Sequence, residues 1–366
     1  VEGVSLGGGF SNSGNITVDA RASFSSSSGS VFSDFAVAGV SLSGNGNSLT
    51  SDITNSGTVS VSVNIESSGS ATSSSLSMSQ VQIAGFAIED WDTSGTFTNT
   101  GTIEVNVEGV GPFSSSSSSS SGISSMSGGI AALAIMNSNI EGGIVNSGTI
   151  LGDVFIDDSN TGNILRLSGG RISGRIMAPN IEVIDDFTAE GNIIAGSLTI
   201  LDNASLIVGQ TTTISLETMS GGNDGSIYFE IGEKTNGNIA VSGSGAANFE
   251  GLDVGLSGGA GIDLTSGDLF KVAEGGATLS GITLDPETAV VDKSLFYDFA
   301  LVDGTYGELG GDNTDLYALV LEKKTIEFAA DPGKTKALAA VNTFVSATSD
   351  DPGLVVLSGL MNNASS

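Results

Sequence analysis

The chain has 366 residues and a formal net charge of −30, with only 11 Lys and Arg and neither Cys nor His. So few cations argue against nucleic-acid binding, because phosphate contacts need clustered Lys and Arg. Without Cys and His, the chain lacks the Ser-His-Asp and Cys-His nucleophile systems and the commonest zinc ligands. A hydrophobic content of 39% is nevertheless sufficient for a packed core.

A short phrase, Asn-Ser/Thr-Gly-Thr/Asn-Ile/Val, recurs four times and begins at Asn12, Asn55, Asn99 and Asn146. The steps between its copies are 43, 44 and 47 residues, and a repeat of this size is typical of a stacked architecture. Asn and Gly tolerate left-handed backbone conformations, so we predict a structural turn at each phrase. Two roles remain open for the Asn side chains. They either stack as a hydrogen-bonded ladder, or they are ordinary turn residues, since the spacing would align them only on alternate coils.

Each repeat within residues 1–150 has three phases. An alternating strand such as 58–63 is followed by a serine tract and then by an apolar strand such as 81–88 or 130–135. Two strand-bearing halves predict two coils of about 22 residues each, the size of one turn of a parallel β-helix. The serine tracts, which include eight consecutive serines at 114–121, are either flexible linkers or parts of an ordered face.

The repeat phrase is absent from residues 151–330, but short strands and Gly-rich corners continue, and we predict less regular coils and a closing region there. In residues 331–366, Ala337, Leu338 and Val341 lie at helical spacing, which predicts a helical tail or cap. The predicted fold is therefore all-β: a right-handed parallel β-helix to about residue 330, followed by a short α-helical C-terminal segment. We expect the inward-facing side chains to include Val59, Val61, Ile103, Val105, Ile172, Ile176, Ile200 and Leu206.

Carboxylates are the only candidate site chemistry. Glu89, Asp90 and Asp92 surround the single Trp and could bind Ca²⁺ or a sugar, or could simply form an exposed corner between coils. Asp263 ends a Gly-Gly-x-Gly-x-Asp segment that matches the start of a calcium-binding β-roll repeat, although such rolls need tandem copies. Calcium is thus the one candidate cofactor. We predict no catalytic residue, because adjacent acids on a strand point to opposite faces.

The repeat phrases, together with the Leu-Ser-Gly-Gly-Arg-Ile-Ser-Gly segment at 167–174, resemble the passenger domains of bacterial autotransporters. Segments 299–304 and 336–342 are similar to the region that precedes the translocator barrel in that family. The resemblance implies a β-helix that is extracellular or displayed on the bacterial outer-membrane surface. It departs from the family in that no translocator barrel follows. Either the barrel has been cleaved away, or this is a barrel-less surface protein.

The leading functional interpretation is a secreted or cell-surface β-solenoid with a structural or adhesive role. It would self-associate as a homo-oligomer or filament and could contact a host or neighbouring-cell surface or glycans. The alternative is a surface-layer or filament subunit whose acidic faces are bridged by Ca²⁺. A third interpretation, a polysaccharide-degrading β-helix enzyme, needs cations, and only the region around Arg166–Arg175 offers them, since 22–165 contain none. We predict that this chain does not span a membrane and that its N-terminal coil is uncapped.

Overall fold

The computed structural model describes residues 9–25, 35–43, 48–49, 51–68, 81–109, 129–232, 235–258, 264–274, 284, 297–307, 309 and 314–323. Within these ranges every element of secondary structure is a β-strand, which confirms the prediction of an all-β fold for the described residues. The predicted helical segment 331–366 lies outside the described residues, as does the run of serines at 114–121.

The strands are β1 (Phe10–Asn12), β2 (Asn15–Ser25), β3 (Phe35–Ser43), β4 (Ser48–Leu49), β5 (Ile53–Asn55), β6 (Thr58–Ser68), β7 (Val81–Glu89), β8 (Asp92–Thr93), β9 (Phe97–Asn99), β10 (Thr102–Gly109), β11 (Ile130–Met136), β12 (Ile144–Asn146), β13 (Thr149–Leu151), β14 (Val154–Ile156), β15 (Ile164–Leu167), β16 (Arg171–Ile172), β17 (Ile176–Val183), β18 (Phe187–Ala189), β19 (Ile193–Ile200), β20 (Ser205–Val208), β21 (Thr213–Gly221), β22 (Gly225–Ile231), β23 (Asn238–Ala247), β24 (Leu252–Gly258), β25 (Leu269–Glu274), β26 (Tyr297–Asp303) and β27 (Leu316–Lys323).

Strands from successive repeats pair in parallel on three separate faces. The first face contains β1, β5, β9 and β12, the second β2, β6, β10 and β13, and the third β3, β7, β11 and β14. Asn12 is opposite Asn55 and Asn55 is opposite Asn99, so one coil takes 55 − 12 = 43 or 99 − 55 = 44 residues.

The prediction of two coils of about 22 residues per repeat is therefore wrong for the first 150 residues. The serine-containing connection joins the second face to the third face of the same coil, so it lengthens one coil instead of separating two. Shorter coils do occur later, where Val145 pairs with Arg166 and Val154 with Ile176, at separations of 166 − 145 = 21 and 176 − 154 = 22 residues.

From β17 onward the cross-section becomes simpler. Strand β17 pairs with both β14 and β15, so it joins the first and third faces into one, and β19, β21 and β23 continue this joint face. The opposing face continues through β18, β20, β22 and β24. All of these pairings are parallel.

An antiparallel hairpin closes the C-terminal end. Strand β27 pairs antiparallel with β25 and with β26, so the parallel stacking ends at Leu269–Glu274 and not near residue 330 as expected. Tyr297 and Phe299 of the hairpin are 1% and 0% exposed and close the core. On the outside, the carboxylate of Asp315 lies 2.9 Å from the Lys271 ammonium, and this hydrogen bond raises the pKa of Lys271 above its ordinary value.

One hydrophobic cluster runs through the stacked coils from Val40 to Val320. Seven of the eight predicted inward-facing side chains are buried, and only Val105 is half-buried. The three residues of β13 pair with β10 only as far as Glu104, so no described strand of the next coil pairs with Val105.

A second cluster lies beside the first. Val61, Val63 and Ile83 form it with partly buried neighbours that include Val18 and Val37. Val61 and Val63 lie on β6, and Ile83 lies near the start of β7. Their partly buried neighbours lie on the strands stacked above and below these two. We call this two-layered region around Val61, Val63 and Ile83 the lateral lobe.

Candidate assembly site

The four repeat asparagines form a buried ladder. The side-chain Nδ2 of Asn12 donates to Oδ1 of Asn55, Asn55 donates to Asn99, and Asn99 donates to Asn146, each at 2.8 Å. Asn55 and Asn99 are 0% exposed. Each amide is thus both donor and acceptor, which satisfies groups whose burial would otherwise be unfavourable. The ladder alternative is confirmed because the coils are long enough to place an Asn on every coil.

The ladder ends where the repeat phrase ends. Asn146 is opposite Leu167 in the next coil, and its Nδ2 donates to the carbonyl of Gly148 at 3.3 Å instead. At the other end, Oδ1 of Asn12 receives the backbone N–H of Gly14 at 3.2 Å. In the next coil the corresponding N–H, that of Gly57, donates to the carbonyl of Asn12 in the coil before it.

The glycines of the phrase stack directly upon each other. A Cβ atom built on Gly57 would overlap the carbonyl oxygen of Gly14, and the same holds for Gly101 against Gly57 and Gly148 against Gly101. A Cβ on Gly14 itself would meet no described atom within 4 Å. Where another coil precedes it, this corner therefore tolerates only Gly, and Gly14 is the one phrase glycine with no described coil before it.

Five apolar positions of the first coil are incompletely buried, whereas Val40 and Leu42 of β3 are buried. Phe10, Ile16, Val18, Ala20 and Val37 are all half-buried. Their pairing partners one coil later are fully buried, at 0 to 1% exposed: Ile53, Val59, Val61, Val63 and Ile83. Among the described residues, no strand pairs with the outer edges of β1, β2 or β3. The N-terminal end of the stack is thus an apolar surface bordered by unpaired strand edges.

The edge strand β2 also carries the only cation before Arg166. Arg21 and Asp19 are both exposed on the outer face of β2, and Arg21 forms no ion pair within the described part of the chain. In the next two coils the position of Arg21 is occupied by Asn64 and Glu108. The isolation of Arg21 is visible in the sequence, but its position on an edge strand follows only from the strand pairing.

The predicted acidic sites are spread over the surface. Asp90 and Asp92 are exposed, while Trp91 between them is 1% exposed and belongs to the core, so it is not available to stack on a sugar. Asp92 Oδ1 accepts the backbone N–H of Asn139 at 2.9 Å, and Glu89 is half-buried at the end of β7. Asp263 lies outside the described residues. Within the described ranges, no three acidic side chains are grouped so that they could hold a metal ion.

Three arginines tie successive coils together. Arg166 donates to Glu182 in the following coil at 2.8 Å and to the carbonyl of Gly142 in the preceding coil at 2.9 Å. Arg175 pairs with Asp153 at 2.7 Å, and Arg171 pairs with Glu190 at 3.1 Å. The cations that the polysaccharide-degrading interpretation required are therefore engaged with acids of neighbouring coils.

Replacing Arg166 by Met is expected to lower the free energy of unfolding by about 1 kcal/mol, because it removes contacts to the coils on both sides. The pair of Arg166 and Glu182 is only 30% and 26% exposed. The matched control is Arg171→Met, whose pair with Glu190 is 57% and 43% exposed and should contribute little. Urea unfolding followed by circular dichroism measures both changes. Equal losses in the two variants would contradict the role of Arg166 in linking the coils on either side of it.

The described ranges contain no helix with the length and apolar character that a membrane crossing requires. No protein-family model, curated protein or solved structure matches the chain at a significant level.

Proposed function

We propose that the chain is a right-handed parallel β-helix that acts as a secreted or cell-surface structural and adhesive column, and that it self-associates. One observation carries this proposal. The asparagine ladder and its parallel coils stack in register into an elongated core, while among the described residues the first coil has half-buried apolar side chains and unpaired strand edges.

The surface chemistry supports an extracellular location. A net charge of −30 keeps a long β column soluble and opposes unspecific association, and the lack of Cys removes any dependence on the redox state of the compartment. We further propose, from the repeat phrases, that the column is of the autotransporter-passenger type.

A calcium-bridged surface-layer or filament subunit is the second candidate. The exposed acids Asp90, Asp92, Asp158, Asp185 and Asp186 favour it, because carboxylates on the outer faces of two columns could share Ca²⁺ ions.

Clustering of beads that carry the purified chain distinguishes the two candidates. We expect clustering to increase as sodium chloride rises from about 0.05 to about 0.5 M, because salt screens the repulsion between acidic columns. Clustering that needs millimolar calcium and reverses in chelator would favour the calcium-bridged subunit. Beads that stay dispersed under all of these conditions would contradict self-association.

A further inference from the structure

We propose that two copies of this chain dimerise edge to edge through β2, whose strands pair antiparallel across a two-fold axis at Ala20. This inference rests on the proposed self-association and specifies the strand and the register through which it occurs. It starts from the half-buried residues Ile16, Val18 and Ala20 on an edge strand of 11 residues that has one unpaired side among the described residues. Such an edge is a template for pairing with another strand.

The hydrogen-bonding groups of β2 restrict the possible registers. The N–H of Thr58 donates to the carbonyl of Gly14, and Thr58 is opposite Asn15. Backbone groups alternate in direction along a strand, so even-numbered residues of β2 bond to β6, and odd-numbered residues direct their N–H and C=O outward. A partner strand must therefore match odd-numbered residues with odd-numbered residues.

Charge selects one register among those allowed. When Ala20 lies opposite Ala20 of the second copy, Asp19 lies opposite Arg21 of that copy, and Arg21 opposite its Asp19. Both are odd-numbered, so each pair also exchanges backbone hydrogen bonds. Both side chains are exposed on the outer face, and opposite charges directly across two strands stabilise the pairing. The same arrangement supplies Arg21 with the acidic partner that it lacks within its own described chain.

The apolar side chains of β2 and β3 are also compatible with this register. Val18, Ala20 and Val37 contact the same cluster of the lateral lobe, so an axis through Ala20 crosses both layers of the lobe. The edge of β3 then meets β3 of the second copy while β2 meets β2. The half-buried side chains of Val18, Ala20 and Val37 become covered in both copies, and a two-fold axis makes the contact identical for both.

Head-to-tail stacking does not fit either end of the column. Among the described residues, no strand pairs with the outer edge of β10 beyond Glu104, but β12 and β15 continue the column directly below, where a second column would have to lie. At the C-terminal end, the edge strands of the described part are the antiparallel β26 and the strand β24, which do not reproduce the three edges of β1, β2 and β3. Two N-terminal ends present the same edges to each other.

Sedimentation velocity of the 366-residue chain, with two charge variants, tests the register. At physiological salt we expect Arg21→Glu to raise the dimer dissociation constant about tenfold or more, because it places two pairs of like charges opposite each other. The swapped variant Asp19→Arg/Arg21→Asp restores both pairs and should return the constant to within about threefold of the unmodified chain. Both positions are exposed, and circular dichroism should show an unchanged fold.

A backbone variant tests the pairing independently of charge. Thr17 directs its N–H away from β6, so Thr17→Pro removes a donor from the outer edge and none from the inner ladder. We expect it to abolish the dimer and leave the monomer folded.

The results separate this geometry from the broader proposal. If Arg21→Glu dimerises like the unmodified chain, or if the swapped variant does not recover, the β2 register is overturned while self-association stands. A chain that sediments as a monomer at every salt concentration overturns the dimer, and bead clustering then decides the proposed function separately.

Discussion

Replacing Gly101 by Ala is expected to lower the free energy of unfolding by about 3 to 5 kcal/mol. The new Cβ would overlap the carbonyl oxygen of Gly57, which belongs to the backbone of the preceding coil and cannot rotate away. That backbone is fixed on both sides, because the N–H of Thr102 donates to the carbonyl of Gly57 at 2.9 Å. The two coils would have to separate locally, which disturbs the asparagine ladder beside them.

Gly14→Ala is the matched control for this change. Gly14 occupies the same position of the repeat, but no described atom lies within 4 Å of a Cβ placed there. We expect its unfolding midpoint in urea to stay close to that of the unmodified chain, with both measured at the same low salt concentration. A large loss of stability in both variants would mean that backbone conformation, and not the stacking of coils, requires Gly at this corner.

Replacing Asn99 by Ala is expected to cost about 3 kcal/mol of unfolding free energy. The substitution removes two hydrogen bonds of 2.8 Å, one from Asn55 and one to Asn146. It also leaves a buried carbonyl oxygen on Asn146 without its donor, and an unsatisfied buried polar group adds to the cost of the lost bonds.

The position of an asparagine along the ladder should determine the size of the effect. Asn12→Ala removes one ladder bond and the bond from the Gly14 N–H and leaves Oδ1 of Asn55 without its donor, but this end is 7% exposed, so we expect a smaller loss of about 2 kcal/mol. Asn106, which is exposed on β10, provides a surface Asn→Ala control with almost no effect. Denaturant titration of the three variants gives the order directly, and equal losses at Asn12 and Asn99 would contradict a cooperative ladder.

Much of the local structure could be predicted from the sequence. The alternation of Val59 and Val61 predicted which side of β6 is buried, and the phrase beginning at Asn55 predicted a turn before that strand. The buried side of the strand follows from its two-residue period, which depends only on neighbouring residues. The Gly of the phrase has a different reason, because its Cβ would overlap a carbonyl oxygen of the preceding coil.

The length of a coil was not predictable in the same way. Whether a serine-rich connection lies within a coil or between coils depends on which strands pair, and the entropy of closing a loop changes only slowly with its length. The sequence therefore does not distinguish coils of 43 to 47 residues from pairs of coils half that size. The register of Asn12 with Asn55, and hence the ladder, became visible only from the strand pairing.

The sequence by itself determined that this chain is a β-strand repeat that is interrupted at each phrase, because strand alternation is a local property; the structure places Asn12, Asn55, Asn99 and Asn146 as the last residues of β1, β5, β9 and β12. Tertiary structure decided which side chains meet across successive coils. It joined the asparagines into one hydrogen-bonded row and, within the described part of the chain, left Arg21 without an acidic partner on an edge strand. Those contacts join residues that are far apart in the sequence, and no local pattern specifies the pairing that brings them together.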